Sequence, residues 1–188
     1  MNRGFKTWAE NEALTVRGSL GLAARERLPG RVLLKHLGAI ITRPARIPGM
    51  TAADIAQLTE TDPTGWSAIT AAYNGTSIVI INDAHNEQRQ ESDMHHEASH
   101  LLRKHKPCEL VRAGELTIRV FDPETEEEAS WLAGCLHLPR AALVAALRSG
   151  DGEEAIAARY MASTQMVRYR RSVTGVDRQL KISSSTIM

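Results

Sequence analysis

The chain of 188 residues is poor in aromatic side chains, at 4%, and holds only two cysteines, Cys108 and Cys135. The first shortage leaves a core to be built from Ala, Leu, Ile and Val; the second excludes a disulfide-scaffolded fold. Charge of one sign is also missing. With 23 basic and 22 acidic side chains the net charge is +1, which argues against a dedicated nucleic-acid coat or an acidic tail. No apolar run approaches the roughly 20 residues that span a bilayer, the longest lying near residues 78–81 and 141–147. Residues 1–20 mix Arg3, Lys6, Glu10, Glu12 and Arg17 among isolated apolar residues, unlike a signal peptide. These absences lead to the expectation of a cytoplasmic protein without a membrane partner. The 43% hydrophobic content is nevertheless that of an ordinary globular chain, long enough for a real core.

Periodicity predicts a helix over 5–20, with apolar residues at Phe5, Trp8, Ala9, Ala13 and Val16. A short helix over 31–37 ends at Gly38, and a strand follows at 39–42. Residues 44–65 read as a proline- and glycine-rich connection with one helical turn near 52–58. The Asn74-Gly75 dipeptide joins a strand from residue 66 to the clearest strand of the chain, 77–82, in a hairpin. A helix over 86–105, a loop after Pro107, a short strand at 116–120 and a helix over 124–136 come next. Helices over 140–148, 153–160 and 164–171 precede a polar tail ending in three serines. The fold class expected is α+β, mostly helical with a small sheet, divided into a main domain over 1–148 and a helical extension over 149–188.

The seven histidines are unevenly placed, and His95, His96 and His100 fall within six residues. His96-Glu97-Ala98-Ser99-His100 fits H-E-x-x-H. Residues four apart share a helix face, so His96 and His100 can hold one ion between them. Glu97, beside that face, is the candidate general base for a water activated at the ion. Zinc suits nitrogen donors of this kind, and a third protein ligand would complete a hydrolytic site with one open position. Downstream, Ala129, Leu132, Ala133 and Leu136 define an apolar face on which Glu126 is expected to sit, and a carboxylate buried there needs a partner. Glu126 is therefore the candidate third ligand, with Glu127 and Glu128 as alternatives. His85, His95, His105 and His137 are expected to be ordinary surface or satisfied polar residues.

Residues 89–102, around the H-E-x-x-H pattern, and residues 126–139, E-E-E-A-S-W-L-A-G-C-L-H-L-P, together resemble the ImmA/IrrE family of metallo-endopeptidases. That family, once a domain of unknown function, typically shows E-x-x-A-N/D-x-(apolar)-A followed by L-x-P. The resemblance implies a zincin-like fold, zinc held by His96, His100 and Glu126, and Glu97 as general base. It also implies an extended substrate lying on an edge formed by residues 78–81 or by their hairpin partner. Several members cleave a helix-turn-helix transcriptional repressor, so a regulatory protein is the implied substrate. Ser130 departs from the pattern: the family commonly has Asn or Asp there, supporting a zinc-ligand imidazole.

The segment 154–171 has the rhythm of a helix-turn-helix, with Ser163 as a cap and Arg168, Arg170 and Arg171 as a local positive patch. DNA is thus a lesser expected partner. The alternative to an enzyme is a DNA- or protein-binding regulator, such as a toxin–antitoxin or mobile-element component, with a structural or degenerate metal site.

Overall fold

A computed structural model describes residues 2–113 and 115–185, without the side chains of 113 and 181–185. The chain divides into two units, Pro29–Ala133 and Asn2–Leu28 with Gly134 onward.

The first unit begins with a short helix α1, Gly30–His36, whose last turn passes through Leu37 to Gly38 at φ +76°. Strand β1, Ile40–Thr42, follows directly. The proline- and glycine-rich connection contains helix α2, Ala52–Ala56, which starts in a capping box between Thr51 and Asp54 and runs into a π-helical turn at Gln57–Thr61. Strands β2, Ala68–Tyr73, and β3, Thr76–Ile81, form the expected hairpin. Both turn residues take positive φ, Asn74 at 46° and Gly75 at 78°, as a two-residue type I′ connection requires. Helix α3, Glu87–Arg103, is capped by Asn86, which accepts from the Arg89 N–H. Strands β4, Glu109–Ala113, and β5, Leu116–Val120, make a second hairpin. Helix α4, Pro123–His137, starts at Asp122, whose carboxylate accepts from the Thr125 N–H and hydroxyl.

The sheet order is β1-β3-β2-β5-β4, parallel between β1 and β3 and antiparallel elsewhere. One expectation is corrected: residues 109–113, read as loop, form β4. Its exposed Leu110 and Val111 and charged Glu109 and Arg112 give no clean inside–outside alternation of the kind that marks a half-buried strand. A second correction concerns the edge. β3 lies between β1 and β2, so residues 78–81 are not an edge. β2 also has a neighbour on each side, but it pairs with β5 only at Ala71↔Ile118 and Ala72↔Thr117. Among the described residues, Ala68, Ile69 and Thr70 of β2 have no partner on the β5 side.

Helix α3 packs on β2 and β3 and against α1. The contact with α1 is close because Gly30 has no side chain, and its N–H donates to buried Glu91 Oε1 at 3.0 Å.

The second unit holds helix α5, Phe5–Ser19, helix α6, Arg140–Arg148, helix α7, Glu153–Tyr160, helix α8, Thr164–Thr174, and helix α9, Val176–Ser185. The last of these occupies the stretch expected as a polar tail. Leu138, Leu143, Ile156, Tyr160 and Val167 centre its core. Two fully buried arginines reach carbonyls at the C-terminal end of α4, where backbone acceptors lack helical partners. Arg17 donates to Leu136 O at 2.6 Å and also to Ala13 O and Glu26 O, while Arg170 donates to Leu138 O at 3.0 Å and pairs with Glu10. Among the described residues, no single helix is long and apolar enough to cross a membrane.

Candidate metal centre

Helix α3 presents His96 and His100 one turn apart, and α4 brings Glu126 to them. His96 Nε2 lies 3.0 Å from Glu126 Oε2 and 3.2 Å from His100 Nε2, and His100 Nε2 lies 3.5 Å from Glu126 Oε1. A donor atom from each of the three residues lies within 4.8 Å of the other two. Two imidazole nitrogens and a carboxylate oxygen converging in this way form a donor set that a transition metal accepts.

Glu126 does not occupy the buried helix face that its spacing from Ala129 and Ala133 predicts, since its side chain is 43% exposed. Glu128 is the buried glutamate of the helix, and it pairs with Arg103 at 3.1 Å. Glu127 is exposed. Ser130 is exposed as well.

Glu97 is buried and lines the same cleft, and the hydroxyl of Thr70 donates to its Oε2. Burial pushes the Glu97 carboxyl above the usual carboxylate range, against the opposing Thr70 bond and the charge of His96. Burial pulls His96 down, but the Glu126 bond and the carboxylates of Glu97 and Glu126 outweigh it and leave its pKa raised. His100 goes the other way: its burial and the neighbouring His96 hold it down, keeping the ring neutral and able to donate a lone pair. The His96 hydrogen bond keeps Glu126 ionised below the usual range.

A cleft of about 290 Å³ opens beside these groups. Its walls are Ala68, Ile69 and Thr70 of β2, the end of β5 through Phe121, and Glu97, His100 and Glu126. The cleft exists because β5 parts from β2 beyond Ala71. Phe121 stacks on His100, with ring centroids 3.9 Å apart and planes at 22°.

Sequence reasoning missed three residues here. The sequence marks Thr70 only as a strand position; its one signal is a hydroxyl inside the strongest hairpin, and it is buried. Phe121 had no signal beyond its rarity. His105, placed among the ordinary histidines, touches His100, with Nδ1 to Nδ1 at 3.2 Å. The ordinary reading holds for three others. His85 pairs with Asp93 at 3.5 Å, His95 Nδ1 lies 2.8 Å from Glu91 O, and His137 Nε2 lies 3.0 Å from Tyr160 O. The patch expected on α8 is engaged within its own unit. Arg168 and Arg171 pair with Glu153, Arg171 also with Asp177, and Arg170 is fully buried.

Residues 52–172, more than half of the chain, match the peptidase M78 family, described as the IrrE N-terminal-like domain. No curated protein and no solved structure matches the chain.

Proposed function

The chain belongs to the peptidase M78 (IrrE N-terminal-like) family, and from that premise we propose that it is a zinc-dependent endopeptidase acting on a specific regulatory protein. The observation that carries this is the convergence of His96, His100 and Glu126 beside buried Glu97. Three protein donors of nitrogen and oxygen, with one position left open, are the pattern of hydrolytic rather than structural zinc. Zinc held there supplies Lewis acidity toward water and toward a carbonyl oxygen.

The chain's own residues do the rest. Thr70 fixes Glu97 Oε2, leaving the other carboxylate oxygen to take a proton from the attacking water and return it to the leaving amine. Burial raises the basicity of Glu97 for that task. The stretch Ala68, Ile69 and Thr70, paired with β3 on one side and open on the β5 side, offers hydrogen bonds to an extended peptide, adding it to the sheet beside the catalytic carboxylate. The substrate we propose is a helix-turn-helix transcriptional repressor, which would place the enzyme in the cytoplasm. The basic patch lends the DNA-binding alternative little support, since Arg168, Arg170 and Arg171 are already paired with acidic side chains.

The test pairs metal analysis with proteolysis. Purified protein should hold about one zinc per chain and cut candidate helix-turn-helix repressors of its own genome at a single site seen by mass spectrometry. Glu97→Gln should keep the zinc and lower cleavage by about 10²–10⁴-fold. Absence of zinc, or an unchanged rate in Glu97→Gln, refutes the proposal.

A further inference from the structure

Helix α3 ends at Lys104, which takes the left-handed conformation at φ 53° and ψ 42°. The N–H of His105 then bonds back to His100 O at 3.0 Å, the six-to-one bond of a Schellman turn. This reversal folds the His105 ring under His100, with the two Nδ1 atoms 3.2 Å apart. The His105 side chain is only 8% exposed, its Nε2 faces Glu128 Oε2 at 3.7 Å, and Glu128 is held in turn by Arg103 at 3.1 Å.

These contacts bear on which ring nitrogens carry protons once a metal is held. His100 turns its Nε2 toward His96 and Glu126, so a metal there needs that nitrogen unprotonated and the ring proton on Nδ1. Nδ1–H then needs an acceptor, and the atom facing it is His105 Nδ1. His105 can accept only if its own proton is on Nε2, the atom that faces the Glu128 carboxylate. A negative charge at Glu128, 3.7 Å away, favours the proton on His105 Nε2 through its charge rather than through a hydrogen bond, and that tautomer of His105 can accept from His100 Nδ1–H. Phe121, stacked on His100, restrains the ring's rotation about the same axis.

We propose that His105, held by Glu128, is a positioning residue that orients His100 as a metal ligand. It supplies the second sphere of the site from the C-terminal turn of the motif helix, while Ser130 is turned to solvent. The inference rests on the metal-centre reading above, and its test separates the two.

Zinc affinity is measured on the full chain by competition with a chromophoric chelator for the unaltered protein, His105→Leu and His105→Asn. Cobalt spectra and the thermal unfolding of the metal-free proteins are recorded alongside. His105→Leu should bind zinc about 10–100-fold more weakly and shift the cobalt absorption bands. His105→Asn places an amide acceptor near the lost Nδ1 and should recover most of the affinity and the spectrum. A merely structural role predicts instead that both variants lower metal-free stability and leave affinity and spectrum alone; that outcome overturns the proposal. Equal weakening by Leu and Asn also overturns it. If the unaltered chain takes up neither zinc nor cobalt, the metal-centre reading itself fails, and the positioning role falls with it.

Discussion

The packing of α1 on α3 ties the helix that carries His96 and His100 to a single missing methyl group. A Cβ added to Gly30 would meet Met94 Cβ at 2.7 Å, and Glu91 O and His95 Nδ1 at 3.3 Å each. Carbon atoms in contact sit at about 3.5–4.0 Å, so Gly30→Ala requires one helix to move by about 1 Å. Met94 is backbone-adjacent to the neighbours of His96, and no flexible side-chain tip is available to yield. Overpacking of this kind costs about 1–3 kcal/mol, offset by up to about 1 kcal/mol from the better helix propensity of Ala. The net loss of about 1–2 kcal/mol corresponds to a fall in Tm of about 2–8 °C for a chain of this size. Gly18, near the end of α5, supplies the control, because a Cβ there meets nothing within 4 Å. Gly18→Ala should gain about 0.5–1 kcal/mol. Far-UV circular dichroism melts in the presence of a chelator read both variants without any contribution from bound metal. If the two substitutions shift Tm in the same direction, the close approach of α1 to α3 does not limit stability and the reasoning is refuted.

Three further outcomes follow from the same geometry. Alkylation at pH 8 should modify exposed Cys108 and spare Cys135, whose thiol burial pushes up to about 12; mass spectrometry showing equal labelling of the folded protein would contradict the buried placement. Arg170→Met leaves Glu10 and Leu138 O without their buried donor, and urea denaturation should show a loss of about 2–4 kcal/mol, near the cost of breaking a buried pair. Added zinc at 100 times its Kd should raise the stability of the unaltered chain by about 2.7 kcal/mol and leave the Tm of His100→Ala unmoved.

Local patterns made most of the fold legible. Asn74-Gly75 gave the hairpin its turn, and the apolar spacing of α5 and α3 gave them their length. What failed was wherever tertiary contacts override pattern. Strand β4 forms because it pairs along its length with β5, from Glu109↔Val120 to Ala113↔Leu116, and pairing across a hairpin leaves no periodic trace when both faces are partly wet. The open half of β2 was equally invisible, since where β5 parts from β2 depends on sheet geometry and on no residue type. Arg17 and Arg170 look like surface charges in sequence. They are interior because carbonyls near the end of α4 need donors.

In the run Glu126-Glu127-Glu128, the glutamate brought to the two histidines is not the one the apolar face buries. The apolar spacing predicts Glu126 on the buried face, yet the carboxylate buried there belongs to Glu128, and Arg103 satisfies it. Glu126 is at the site because it reaches across to α3 from a half-exposed position. The two glutamates should therefore respond differently to the same change. Glu126→Gln removes a proposed ligand, so zinc affinity should fall by more than the 10–100-fold typical of outer partners, with metal-free stability within about 0.5 kcal/mol, as for exposed positions. Glu128→Gln leaves Arg103 with a neutral acceptor, which should cost the metal-free chain about 1–2 kcal/mol. Its effect on zinc should stay within the 10–100-fold expected of a residue acting through His105. Chelator competition and urea unfolding on the two variants read both quantities. If Glu128→Gln abolishes zinc binding while Glu126→Gln retains it, the ligand assignment is reversed and the sequence premise of a buried carboxylate ligand was the sounder guide.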